Sequence, residues 1–188
     1  MTLLEDLEGL GYETDFKQIP RPAAARWEQV TLLKSRIVLN ALTRNPSKVV
    51  VFVDVDCRVL GPLDELVANL KGDVAFYIRS RLRRSGGMKF GCRSGTLVFA
   101  PTEDAMRFAT AWDEASRSAP WGSVDQDALG IAMGRAPGVC FQSLDVRYCA
   151  RPVDNCPNPV IFHDSASENV KKVGRNHRLL RRLWDRLK

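Results

Sequence analysis

No stretch of the chain is wholly hydrophobic for more than five residues, far short of the roughly 20 that cross a bilayer. The first ten residues, MTLLEDLEGL, are acidic and lack the basic and apolar regions of a signal peptide. There is no C-x-x-C pair. The five cysteines (57, 92, 140, 149 and 156) are odd in number and scattered, which points to free thiols in a reducing cytosol rather than a disulfide framework. Cys149, Cys156 and His163 are evenly spaced, but in a pattern that matches no zinc motif. Histidine is scarce, with two in 188 residues. A broad basic surface is also missing. Of the formal +6, residues 171–188 hold +7, from eight Lys/Arg against Asp185, and residues 1–170 sum to −1. With no nucleic-acid-binding signature beside it, this pattern excludes nucleic acid as the expected partner.

What is present is the composition of an ordinary globular protein, 45% hydrophobic and 27% charged, at the length of one domain with one sizeable core. The organising stretch is VVVFVDVDC, 49–57. A continuous β-branched run predicts a central strand of a parallel sheet covered on both faces. Asp54 and Asp56 cannot be buried within that core unpaired, so they belong at the strand's carboxyl end, where open α/β sheets bind ligands. Residues two apart on an extended chain point the same way. The two carboxylates therefore converge, and Mg²⁺ or Mn²⁺ resolves their repulsion. A metal-diphosphate site is the first expectation.

In chain order, Leu3–Leu10 reads as a helix closed by Gly11, and Tyr12–Ile19 as a strand. From Trp27 the apolar positions follow helical spacing until Asn45-Pro46-Ser47. Gly61-Pro62 opens a helix whose Asp64 and Glu65 complement its dipole, and a strand follows at 74–78. The order β-α-β-α-β is that of a parallel α/β sheet. Residues 79–93, RSRLRRSGGMKFGCR, carry six basic side chains and three glycines. They form either a solvated loop or a lid that clamps phosphate. A strand at 95–100 precedes a helix capped by Thr102. Ser123 and Gln126 have capping-box spacing, and Asp125 complements the same helix start, a complete structural explanation for these residues. Strands around 139–144 and 159–162 lead to His163, which is either a hydrogen-bonded surface residue or, at a strand end like that of the aspartates, a third metal ligand.

The order D-x-D (54–56), SGTLVF (94–99), VDQDAL (124–129) and a strand-terminal His163 resembles GT-A fold nucleotide-diphospho-sugar glycosyltransferases. The likeness is greatest to the glycogenin and lipopolysaccharide galactosyl- and glucosyltransferase group, and it covers roughly residues 27–165. The resemblance implies an α/β, Rossmann-like domain over 1–170 with a mostly parallel central sheet; beyond it, the residues themselves read as a separate basic amphipathic helix over 171–188. The resemblance also implies transfer of a sugar from a nucleotide-diphosphate donor to a glycan or lipid-linked acceptor, with retention of configuration. Asp54, Asp56 and His163 would hold Mn²⁺ or Mg²⁺. Lys34, Asp54, Arg93, Ser94, Gly95 and Lys171 would contact the donor, and Asp125 and Gln126 would stand at the sugar. The chain departs from the group in three places: the first strand, which helps to hold the base, is expected to be missing; Arg93 stands where Asn is common; and the segment after the histidine lacks the group's Lys-Pro-Trp.

Two other readings compete. A degenerate GT-A domain would serve as a binding module. A haloacid-dehalogenase-type phosphohydrolase also begins at D-x-D, but continues with Gly and then Thr or Val where this chain has Cys57-Arg58. The terminal stripe Leu179, Leu180, Leu183, Trp184 and Leu187, flanked by arginines, is either a docked helix or a peripheral anchor on the anionic inner face of the membrane. The expected location is cytoplasmic.

Overall fold

The computed structural model describes residues 2–16, 18, 19, 25–82 and 84–163. The basic segment 171–188, with Lys171, lies outside the described residues.

Helices α1 (Leu3–Gly9), α2 (Trp27–Thr31) and α3 (Leu33–Arg44) precede strand β1 (Val50–Val53). Then follow β2 (Cys57–Val59), α4 (Asp64–Ala68), β3 (Val74–Leu82), β4 (Met88–Phe99), α5 (Glu103–Arg117), α6 (Asp125–Arg135), β5 (Phe141–Ser143) and β6 (Ile161–His163). The main sheet runs β1-β4-β3-β5, and β2 pairs with β6 in a separate two-stranded ribbon.

The α/β class is as expected, but the sheet is mixed rather than mostly parallel. Among the described strands of this sheet only β3–β5 is parallel; β4 runs antiparallel to both β1 and β3. The reason lies in residues 79–93. They are not a loop: β3 continues to Leu82 and returns from Met88 as β4, a hairpin that brings the next strand back beside its predecessor. Gly86 and Gly87, at φ +79° and +77°, form the reversal, a backbone that side chains rarely adopt. Nor is β1 central. It lies at the edge of the described sheet, each residue partly covered. The strand expected over 12–19 is absent among the described residues; Tyr12 instead places its hydroxyl between the Leu63 amide and Asp64 Oδ2, both 2.6 Å away.

Alternation along the strands divides the core in two. Phe76, Leu97 and Phe99 face α3, α5 and α6, where Val38, Phe108, Trp112 and Leu129 are buried. Ala75 and Val98 face the other way, onto Val59, Leu63, Leu66, Tyr148 and Ile161. This two-sided cover makes β3 and the inner half of β4 a rigid platform. Thr102 caps α5 as its sequence predicts, its hydroxyl accepting from the Ala105 amide at 3.1 Å.

Candidate functional site

The site lies where β1 runs out. After Val53 the chain turns, with the Cys57 amide donating to the Asp54 carbonyl at 3.1 Å and the Asp54 amide donating to the Gly95 carbonyl at 2.9 Å. Val55 is 75% exposed, while the residues on either side of it are more covered. The D-x-D therefore occupies a turn rather than an extended strand.

Lys34, on α3, reaches across to this turn. Its Nζ is 2.8 Å from Asp54 Oδ1 and 2.9 Å from Asp125 Oδ2. Asp125 sits at the start of α6 and is buried. The Ser94 hydroxyl donates to its Oδ2 at 2.5 Å, its amide donates to Thr31 Oγ1 at 3.4 Å, and its carbonyl accepts from Trp112 Nε1 at 3.2 Å. The expected Ser123–Gln126 capping box is not formed. The helix begins one residue later, and Asp127 closes it by accepting from the Val124 amide at 3.0 Å. That shift leaves Asp125 turned inward on the first turn and Gln126 exposed beside it.

His163, at the end of β6, is buried against the middle of β4. Its Nε2 lies 2.9 Å from Thr96 Oγ1 and its Nδ1 2.9 Å from Cys57 Sγ. Gly95 makes this approach possible. A Cβ there would stand 2.4 Å from His163 Cε1, 2.6 Å from its Nδ1 and 3.3 Å from Asp54 Oδ2. Gly95 is thus the point at which the aspartate turn and the histidine meet.

The electrostatics follow from this crowding. Burial raises the Asp54 pKa to about 6, aided by Asp125 and Asp56 and opposed by Lys34. Burial also works against the charge on Lys34, but Asp54 and Asp125 outweigh it and hold the ammonium above its usual range. His163 is pushed down to about 4 by burial and by the nearby cations Lys34, Arg93 and Arg151, so it is neutral at pH 7. Burial, Asp54 and Asp56 push the Cys57 thiol far up. Three carboxylates thus confront one ammonium, a surplus of negative charge that suits a divalent cation.

Among the residues expected at the site, Lys34, Asp54, Ser94, Gly95 and Asp125 come together, with Asp56 and His163 alongside. Arg93 lies close enough to His163 to lower its pKa, but its guanidinium is engaged by other partners. It makes a two-pronged ion pair to Asp154 at 2.5 and 2.7 Å, donates to the Cys149 carbonyl, and stacks over Tyr77 at 4.7 Å. Among the described residues, the group able to hold a metal is Asp56, Cys57 and His163, whose ligand atoms lie within 4.8 Å of one another. Cys57 was not expected there. Its position directly after the D-x-D was the available signal, and the β2–β6 pairing that sets it opposite His163 was not legible. Thr96 and Thr31, which hold His163 and Asp125, also escaped notice.

No family model matches the chain, and no curated protein matches it in sequence. Among solved structures the likeness is to a glycosyltransferase fold. One such structure is a glycosyltransferase involved in the glycosylation of the major capsid of PBCV-1. It is 17% identical, with a TM-score of 0.62 over 87% of this chain and 86% of that one.

Proposed function

We propose that the chain is a metal-dependent glycosyltransferase of the GT-A kind, taking a sugar from a nucleotide-diphosphate donor to a glycan or lipid-linked acceptor with retention of configuration. The observation that carries this reading is the bridge of Lys34 between Asp54 and Asp125 at the carboxyl end of β1, beside His163. The fold likeness favours it over phosphohydrolysis.

The residues fit a divalent cation. Asp54 Oδ2 and His163 Nδ1 both crowd the side of Gly95 that bears no Cβ, and Asp56 belongs to the same group as His163. Asp54, Asp56 and His163 would hold Mn²⁺ or Mg²⁺, which when bound supplies positive charge for a diphosphate leaving group. The chain's own contributions are distinct. Lys34 adds a fixed ammonium next to the donor. Asp125, held by Ser94, Thr31 and Trp112, presents a preorganised acceptor for sugar hydroxyls. Gln126, exposed on the same turn, stands at the sugar face. We assign a cytoplasmic location, with the basic terminal segment as a peripheral contact to the membrane.

Thermal denaturation with Mn²⁺ and UDP, GDP or dTDP tests the reading. One of the three should raise the melting temperature, by about 5–10 °C at a hundredfold excess over Kd, and Asp56→Ala should abolish the rise. No rise with any of them leaves the binding-module reading in its place.

A further inference from the structure

The metal-ligating group next to the Lys34 bridge contains a sulfur. Asp56, Cys57 and His163 present one carboxylate oxygen, one thiol and one imidazole nitrogen within 4.8 Å of one another. We propose that these three side chains form a site for a thiophilic cation, Zn²⁺ in the first instance, that binds without any nucleotide and in preference to Mg²⁺. It shares Asp56 and His163 with the Mn²⁺ site proposed above, so the two cations would compete for these side chains, but it does not rest on glycosyl transfer.

The arrangement is specific. Cys57 and His163 face each other across β2–β6 because they are register partners in that ribbon, so the backbone fixes the two donors. Thr96 Oγ1, 2.9 Å from Nε2, is an outer partner that orients the ring. With the Nε2 proton on Thr96, the Nδ1 lone pair faces Sγ, the arrangement common around metal-bound imidazoles. Cys57 Sγ is 2.9 Å from His163 Nδ1 and 4.0 Å from Asp56 Oδ1. A tetrahedral zinc, with bonds of about 2.3 Å to sulfur and about 2.0 Å to nitrogen, separates those two donors by about 3.5 Å. The Sγ–Nδ1 contact therefore opens by less than an ångström to admit it. Gly95 leaves no Cβ against the ring to oppose that movement. On binding, the S–H bond breaks, its proton leaves to solvent, and the sulfur electron pair goes to the cation.

Three protein donors leave a fourth position open, the pattern of zinc sites that also take water or a ligand oxygen. The soft thiolate distinguishes the site from an all-oxygen one. It selects Zn²⁺ or Co²⁺, whereas Mg²⁺ and Ca²⁺ prefer oxygen alone.

Co²⁺ titration of the reduced full-length chain, without nucleotide, is the test. The expected result is a near-ultraviolet sulfur-to-cobalt charge-transfer band that Zn²⁺ bleaches and Mg²⁺ does not. Cys57→Ser should remove the band. Asp56→Asn, which keeps both register partners, should keep it but weaken Co²⁺ binding at least about tenfold, no less than losing an outer partner costs. No band, or a band unchanged in Cys57→Ser and so arising from Cys92, Cys140, Cys149 or Cys156, overturns the proposal. If Cys57→Ser does not fold, unchanged affinity in Asp56→Asn overturns it alone. Loss of the Mn²⁺–nucleotide shift with retention of the cobalt band would remove the transferase reading and leave this site standing.

Discussion

Lys34 is the residue on which the charge balance of the site turns. Its side chain is 17% exposed, and its ammonium is shared between Asp54 and the nearly covered Asp125. Removing one member of a buried pair costs about 3–5 kcal/mol, and partial exposure places this pair at or below the lower end. Lys34→Met should therefore destabilise the chain by about 2–3 kcal/mol at pH 8 in urea unfolding. Asp54 adds a pH dependence. Its folded pKa of about 6 lies above its ordinary value of 3.8, so the folded state binds the extra proton between those values. Stability from this group is full below 3.8 and is lost as pH rises through 6. His163 has the opposite sign: with its pKa lowered to about 4, its contribution is lost as pH falls from 6.5 through 4. The two slopes oppose each other over the same interval. Asp54→Asn removes one of them, so its stability relative to the parent should improve from pH 4 to about pH 6 and level off above it. A difference that stays constant over that range would show that Asp54 ionises there as an ordinary carboxylate. Gly95→Ala tests the close approach directly. The added carbon meets the His163 ring well inside contact distance, and an overpacked core residue costs about 1–3 kcal/mol.

At the scale of elements, sequence pattern was most informative where local chemistry decides structure. Trp27–Leu42 has helical spacing and forms α2 and α3; Thr102 starts α5; the apolar run at 49–53 holds strand β1 (Val50–Val53), which ends at the aspartates. Pattern was least informative where partners are distant. The alternation in RSRLRR is compatible with a strand, but its arginines and glycines read as a loop because nothing local reveals the hairpin partner. The α6 start was misjudged by one residue because Ser123 and Asp127 offer competing caps, and the structure uses Asp127. Of the site, Asp54, Asp56 and His163 were legible as types and spacings, whereas Lys34, Ser94 and Asp125 entered only through the family resemblance. Cys57 and Thr96 were not legible, because they join it only through the β2–β6 and β1–β4 pairings. The short α1 gives a further case. It is tethered by Asp6, whose carboxylate accepts from Arg58 at 2.6 and 2.9 Å and from the buried Val59 amide at 3.0 Å. These bonds, led by Arg58, hold the Asp6 pKa below its usual range, so its stability is present above 3.8 and lost as pH falls through the lower folded value. Asp6→Leu strands the Val59 amide, and loss of about 1–3 kcal/mol at pH 7 is expected. That loss should shrink in acid, and a loss independent of pH would mean the tether is packing alone.

For the whole molecule, the distribution of charge matters more than its total. No described helix is long and apolar enough to cross a membrane. Residues 1–170 sum to −1 and therefore offer little long-range attraction to an anionic surface, whereas the last eighteen residues carry +7. Each Lys or Arg near an anionic leaflet contributes about 1 kcal/mol, and salt screens that attraction beyond about 8 Å at physiological strength. If 171–188 forms the interfacial anchor its leucine stripe predicts, the full chain should float with phosphatidylserine-containing liposomes, and binding should weaken as salt rises. A chain ending at residue 170 should stay in the soluble fraction. Equal flotation of the two chains would remove the tail as an anchor. Flotation of the full chain that persists in high salt would assign the contact to Leu179, Leu180, Leu183, Trp184 and Leu187 rather than to the arginines around them, and Trp184→Glu would then abolish it.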